Sequence, residues 1–491
     1  PTKIYCIAAK VIGQDVTEFW TPDRVKYFPA WLVELDVDTL IGHNIIGFDL
    51  PVLKKLLGFD WWGEVEDTLV MSRLDNPSRE GGHSLSSWGT RLNYPKGDYS
   101  DWTQYTDEMG EYCKKDVAVL AKLYRLLNSK AMSEIALRIE HKIAVITHQQ
   151  TLNGWKFDIR KASNLLASLK QEMFIAEDEV RKVFTPLEVW MPLKELKKTH
   201  RKDGGKTINY INQLAKGAEW YEIDGELQWG HYIYPEFNLG SRQQIARYLQ
   251  HFGWKPKQFT ELGTVIVSES VLETIEIPEG KLIAKYLMLQ KRLGLVSAWI
   301  DAIDKGDRIH GKVNSCGAVT GRMTHSKPNL AQVPASNSPY GEECRELFTV
   351  EEGYKLVGMD ASGLELRMLA HYMNDEDYTN EVIHGDIHTA NQKAANLETR
   401  DKAKTFIYAF LYGAGSRKLG KMTGGNAEDG RRLQRDFLNN TPALKKLRIN
   451  ITKSSESGSI IGLDGRVLHI RSSHAALNTL LQSAGAIVMK R

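Results

Sequence analysis

Residues 400–412 carry two stripes at helical spacing. Ala403, Phe406, Ile407, Phe410 and Leu411 follow the i, i+3, i+4, i+7, i+8 rule and are expected to face a core. Arg400, Lys404 and Tyr408 recur every four residues and form a second stripe beside the first. Two cations one turn apart, followed by an aromatic ring, suit a triphosphate lying along a helix with its base or sugar against the ring. On spacing alone, the same stripe also suits a solvated basic face with Tyr408 at the edge of the core.

A second constellation centres on Asp360. Residues 354–359 are apolar and are expected to form a strand ending at Asp360, followed by the turn Ala361-Ser362-Gly363 and a helix from Leu364. A carboxylate at such a strand end offers hard oxygen ligands to Mg2+. Phosphoryl transfer needs one or two such ions to lower the charge on the attacking and leaving oxygens. Capping of the following helix is the plainer role for the same aspartate. Near the N-terminus, His43-Asn44 follows a short apolar run, Asp49 lies six residues after His43, and Tyr112 and Asp116 stand i, i+4 on one expected helix. A ring and a carboxylate on one face can orient a water beside a carboxylate-bound metal. Asp49 as a helix cap, and Asp116 as a surface partner of Lys114 or Lys115, are the alternatives.

Taken in chain order, Asp360-x4-Glu365-Leu366-Arg367, Arg400-x3-Lys404-x3-Tyr408 and Gln482-Ser483-Ala484-Gly485 resemble motif A, motif B and the following helix of family A DNA polymerases. The likeness is strongest to the replicative polymerases of T-odd podoviruses. Gly317-Ala318-Val319-Thr320-Gly321-Arg322, Asn329-Leu330-Ala331-Gln332-Val333-Pro334, Gly385-Asp386-Ile387-His388-Thr389 and His474-Ala475-Ala476-Leu477-Asn478-Thr479 extend it over nearly the whole chain. His43-Asn44 with Asp49, and Tyr112-x3-Asp116, resemble the second and third motifs of the same family's proofreading exonuclease.

The resemblance implies an α/β and α+β multidomain protein, with a ribonuclease-H-like 3'-5' exonuclease domain followed by a right-hand polymerase domain of palm, thumb and fingers. It implies Asp360 and the Ala361 carbonyl as metal ligands in the polymerase, and Asp49 and Asp116 as metal ligands in the exonuclease with Tyr112 beside them. The cofactor would be Mg2+, two ions per active site. Glu365 would crowd a ribose 2'-OH. His388, Arg400 and Lys404 would contact the triphosphate, Tyr408 would stack on the nucleotide, and Lys404 would also act as general acid toward pyrophosphate. Thr320, Arg322 and Gln482, and Asn44 in the exonuclease, would touch DNA. In the minor groove, acceptor positions shared by all base pairs let geometry be felt without reading sequence. Implied partners are primer-template DNA, deoxynucleoside triphosphates, a phage helicase-primase and host thioredoxin or another processivity factor, in the cytoplasm of a bacterial host. A catalytically dead nucleic-acid-binding remnant and a single-subunit RNA polymerase relative are the rival readings, and Glu365 speaks against the second.

These residues need elements to present them. The first third alternates β-rich runs at 3–12 and 39–42 with helical runs at 49–57 and 112–127, the pattern of an α/β domain. From 132 to about 290 the period is mostly helical, as at 131–152 and 160–184, apart from a Pro- and Gly-containing stretch over 185–237 that reads as an insertion or long connection. That stretch is where a processivity factor would dock. From 311 the pattern turns to short strands, Gly-rich turns and long helices, with a hairpin signal at Asp464-Gly465. The expected domains are an exonuclease over 1–130, a thumb region over 131–307 with its insertion, and palm and fingers over 308–491, the fingers at about 386–470.

With 491 residues, and roughly 150 residues per domain, about three domains fit and a small stapled scaffold does not. Lys and Arg number 64 against 61 Asp and Glu, so the net charge of +3 points to no partner by itself. Clustering does. Residues 181–206 carry a local net of +5 and residues 417–453 a net of +7. The four cysteines stand far apart with no Cys-x-x-Cys pair, which argues against a zinc site and a disulfide framework and fits a reducing setting. No apolar run is long enough to span a bilayer. The chain starts at Pro1 and stops at Arg491 within an apolar run, so both ends read as cut. An Asp-x-Glu strand and a His-Asp-Glu motif, each a source of metal carboxylates, are not found in it, so the 491 residues taken alone are expected to be inactive or nearly so in both reactions.

Overall fold

The computed structural model describes residues 1–491 apart from 224, 261 and 273. The chain forms two compact units. Pro1–Trp155, His310–Gln332 and Glu352–Arg491 make the first, and Lys156–Ile309 with Val333–Glu351 make the second.

In the first unit, the run expected over 3–12 narrows to the strand Ile7–Ala9, which pairs antiparallel with Glu18–Trp20. Thr39–Gly42 pairs parallel with Glu64–Asp67, and Asp49–Leu57 lies in the connection between them, since parallel neighbours need a crossover. That register sets Gly42 opposite Asp67, so the turn leaving the first strand meets the carboxylate ending the second. Asn44 takes the left-handed conformation there, with φ of 64°, and donates its N–H to Asp67 Oδ1 at 2.8 Å. The helix Asp107–Asn128 starts at a Thr106 cap and buries Val119, Leu123 and Leu127, and Tyr112 and Asp116 continue the same stripe toward its N-terminus, where they are only partly buried. The expected helix at 131–152 is Glu134–Asn153, begun by Ser133, whose hydroxyl accepts the Ala136 N–H.

The C-terminal part of this unit is a helical assembly around one core. Leu366 and Leu369 of the helix Leu364–Met373 meet Phe406 and Phe410 of Arg400–Leu411, Phe437 of Ala427–Asn440, Leu444 of Pro442–Ser454 and Leu480 of Ala476–Lys490. Each fully buried side chain of this size contributes on the order of 2–3 kcal/mol of burial. The helix Arg400–Leu411 buries the five residues that its spacing singles out. Gly485 is small for a packing reason, because a Cβ there would lie 3.1 Å from Leu364 Cδ2. Ser459–Ile461 and Val467–His469 form the expected hairpin, with Ile461 opposite Val467 and Gly465 in a positive-φ turn.

One expectation fails. Residues 354–359 form no strand, and Val357 and Met359 are 82% and 91% exposed. A strand exists through hydrogen bonds to a neighbour. Among the described residues no strand pairs with this segment to supply them, so apolar composition alone does not make it one. Residues 185–237, expected as an insertion or long connection, hold secondary structure of their own. Val189–Pro192, Glu226–Ile233 and Glu219–Ile223 build an antiparallel sheet with the longest strand central, and Ile208–Leu214 is a helix between the first two strands in sequence. Trp190, Tyr221 and Tyr232 pack on one another at centroid distances of 5.1–5.2 Å, so aromatic contacts hold a sheet whose strands mix polar and apolar residues on both faces.

The second unit rests on two long helices, Ile159–Val183 and Pro278–Ile300, which bury Leu169, Ala176 and Val180 and Ile283, Leu289 and Val296 respectively. A small sheet of Phe348–Thr349, Trp155–Phe157 and Arg308–Ile309 closes one end, with Phe157, Trp299 and Phe348 packed edge-on. Among the described residues no helix is long and apolar enough to cross a membrane.

Candidate active sites

The helix Ile387–Ala394 begins at Asp386, whose Oδ1 accepts the N–H groups of His388 and Thr389 at 3.1 and 3.5 Å. The same carboxylate takes Arg400 with two bonds, Nε to Oδ2 at 2.6 Å and Nη2 to Oδ1 at 3.1 Å. These bonds, Arg400's first, hold the Asp386 carboxyl far below the usual carboxylate range. Asp386 therefore ties the start of one helix to the start of the next and aims the guanidinium. Spacing assigned it no role, although an Asp before a helical run is a capping signal.

The His388 ring lies 6.1 Å from the Tyr408 ring, and Tyr408 stacks loosely on Tyr412 at 6.5 Å. Burial, then the Arg400 charge, push His388 below its usual value, so it is a neutral donor or acceptor at neutral pH. Lys404, exposed between Arg400 and Tyr408 on the same face, makes no ion pair among the described residues. Tyr412 donates its hydroxyl to Glu365 Oε1 at 3.4 Å, and Arg322 Nη2 donates to the same oxygen at 3.3 Å. Glu365 sits in the first turn of Leu364–Met373, begun by Gly363 at φ of 60°. Arg322, Glu365, Tyr408 and Tyr412 thus form one cluster, and His388, Arg400 and Lys404 continue it along the helix.

Asp360 is exposed, caps no helix and makes no hydrogen bond or ion pair among the described residues. Among those residues no three His, Cys, Asp or Glu side chains are grouped as a metal set. Asp360 and the Ala361 carbonyl remain two hard oxygen donors, the right chemistry for Mg2+ but a partial shell. Thr320 is buried in the turn before Arg322. Gln482 donates to Asn478 Oδ1 at 3.0 Å on its own helix.

Upstream, Lys96 Nζ donates to Asp116 Oδ2 at 2.9 Å and lies 4.5 Å from the centre of the Tyr112 ring. Tyr112 and Asp116 therefore share a face, and neither Lys114 nor Lys115 is the partner of Asp116. Asp116 Oδ1 is buried without a hydrogen-bond partner among the described residues, and burial raises this carboxyl against the opposing pull of Lys96. Asp49 begins its helix after Phe48. Its carboxyl is pushed up to about 7, first by the chain crowded around it and then by the charges of Asp67 and Asp116. Its outer side still reaches solvent, so screening weakens that shift. His43 is pushed down to about 4, chiefly by burial, with Nδ1 2.9 Å from Thr68 Oγ1. Asp67 is raised by burial while the N–H groups of Asn44, Leu69 and Ile46 oppose the rise. A bare buried oxygen on Asp116 beside the carboxyl of Asp49 fits a divalent cation. Lys96 and Asp67 had no motif to reveal them; the only signal for Asp67 was its place before a helical run, where it accepts the Leu69 N–H.

A family model described as DNA polymerase family A matches residues 213–491. The chain belongs to DNA polymerase family A. This family A chain is 35% identical, over its whole length and 86% of the relative's, to the DNA-directed DNA polymerase of Escherichia phage T7. It is 36% identical to that of Enterobacteria phage T3, over 94% of the chain and 83% of the relative. Its fold matches the POL domain of Pol1 from M. smegmatis, solved with DNA primer-template and dNTP, at a TM-score of 0.73 over 96% of this chain and 79% of that one. At 16% identity that match speaks for the fold alone. The family segment contains Arg322, Asp360, Glu365, His388, Arg400, Lys404, Tyr408 and Gln482, while Asp49, Tyr112 and Asp116 lie before it.

Proposed function

We propose that this family A polymerase adds deoxynucleotides to a primer 3' end on a DNA template, with the helix Arg400–Leu411 as the nucleotide platform. The observation that carries the reading is the one cluster running from Arg322 and Glu365 through Tyr408 and His388 to Arg400 and Lys404. Two cations at one end suit a triphosphate, and two stacked tyrosines beside a carboxylate at the other suit a sugar and base. Arg400, aimed by Asp386, binds phosphate; Tyr408 stacks on the base; Lys404 gives a proton to the departing pyrophosphate. Glu365, braced by Arg322 and Tyr412, fills the space a 2'-OH would need. Mg2+, when held by Asp360 and the Ala361 carbonyl, would lower the charge on the reacting oxygens. Arg322, Thr320 and Gln482 meet the primer-template minor groove.

Glu365→Ala is expected to raise ribonucleotide incorporation relative to deoxynucleotide incorporation by about tenfold or more, the effect of unblocking one polar contact. Competition between the two nucleotides in primer extension measures it. An unchanged ratio would remove Glu365 as the gate and reopen the RNA polymerase reading.

For residues 1–130 we propose a ribonuclease-H-like 3'-5' exonuclease, on the strength of Asp49 and Asp116 sharing one electrostatic environment beside Tyr112. Residues 131–307 then serve as the thumb region, with the long pair Ile159–Val183 and Pro278–Ile300 as its shaft, and 308–491 as palm and fingers. In the complete enzyme, Asp116→Asn should abolish trimming of single-stranded 3' ends while leaving primer extension unchanged. Trimming that survives the change would place hydrolysis elsewhere.

A further inference from the structure

We propose that Lys490 is a positioning residue for the turn that carries Thr320 and Arg322. The idea rests on the reading above that this turn meets primer-template DNA.

The Lys490 ammonium is almost fully buried, with 2% of its side chain exposed. It donates to the Ser315 carbonyl at 2.7 Å, the Gly321 carbonyl at 2.7 Å and Glu140 Oε1 at 2.6 Å. An ammonium has three protons, and all three are used. Two of them go to the carbonyls that bracket residues 316–320, so one cation pins both ends of the turn. Inside it, the N–H groups of Gly317 and Ala318 both reach the Arg322 carbonyl at 3.2 Å, and the Gly321 N–H reaches the Ala318 carbonyl at 2.8 Å. Gly321 has φ of 73°, and a Cβ there would lie 2.5 Å from Arg466 Nη1. The turn is thus seated on one buried cation and pinned by another.

Those cations do not stand alone. Arg466 Nη1 lies 2.8 Å from Glu140 Oε1, and its Nε and Nη2 take Asp464 at 2.9 and 2.7 Å. Glu140, Asp464, Arg466 and Lys490 form a buried neutral quartet drawn from three distant stretches of chain. Burying four charges gains little stability over an apolar core, and the best-attested use of such a network is to fix one arrangement among several. Here the arrangement fixed is the exit of Arg322, half-exposed and directed at Glu365.

The test measures affinity of the complete enzyme for a primer ending in adenine and for one ending in 3-deazaadenine, which lacks the minor-groove N3 acceptor. By fluorescence anisotropy, the wild type should lose about tenfold in affinity on the modified primer, the size of one hydrogen bond from a charged donor. Arg322→Ala should lose that sensitivity, and Lys490→Met should lose most of it although it leaves Arg322 in place. Removing one member of the quartet strands a charge, so the double change Lys490→Met with Glu140→Leu serves as the folded comparison, leaving the Arg466–Asp464 pair intact. If Arg322→Ala stays sensitive to N3, the DNA reading of the turn fails. If Arg322→Ala is insensitive while a folded Lys490 variant discriminates like the wild type, the positioning role is overturned.

Discussion

Lys404→Met is expected to slow nucleotide incorporation by a factor of about 10²–10⁴, the range for losing a general acid. The structure says why Lys404 rather than Arg400 should carry this effect. Arg400 is already bound through two bonds to Asp386, so its charge is shared before any nucleotide arrives. Lys404 has no ion pair among the described residues and lies one turn further along the same face. A guanidinium also holds its proton too tightly to give it up, whereas an ammonium can donate as the pyrophosphate oxygen develops charge. Single-turnover kinetics should show the loss in the maximal rate, with a smaller change in the Kd for nucleotide. Lys404→Arg should restore binding more than rate. A change confined to Kd would reduce Lys404 to a ground-state phosphate contact.

Arg466→Met is expected to destabilise the protein by roughly 3–5 kcal/mol, the cost of leaving a buried carboxylate without its cation. Arg466 and Asp464 are 2% and 1% exposed at their side chains, and Glu140 also faces Lys490, so Asp464 bears the larger share of the loss. By contrast, the pair Lys54–Asp60, exposed by 66% and 72%, belongs to the class worth about 0–1 kcal/mol. Urea unfolding compared with a Lys54→Met control measures the difference. Removing both charges, as Arg466→Met with Asp464→Leu, should recover part of it. A destabilisation no larger than that of the surface control would mean that water reaches the quartet and that burial does not set its energetics.

What could be read from the chain without its fold was what neighbours in sequence decide. The helix Arg400–Leu411 was legible because its core stripe and its cation-ring stripe both follow the 3.6-residue period, which needs no distant partner. Tyr112 and Asp116 were legible for the same reason, and so was the hairpin around Gly465, where a positive-φ turn is written locally. The motif order carried the family.

Tertiary structure decided whatever depends on a partner far along the chain. Residues 354–359 have the composition of a strand and are not one, because a ladder needs a neighbour that composition cannot name. The aromatic sheet within 185–237 went unread because its stabilising contacts run across strands whose alternation is blurred. Lys96 meets Asp116 from 20 residues away, and Asp386 reaches Arg400 across 14. Lys490 meets Glu140 across 350. In each of these pairs a charge reads from sequence as one more solvated side chain. Only the fold, by removing water and bringing the opposite charge within hydrogen-bonding distance, turns it into a device that aims the Arg400 guanidinium or seats the turn before Arg322.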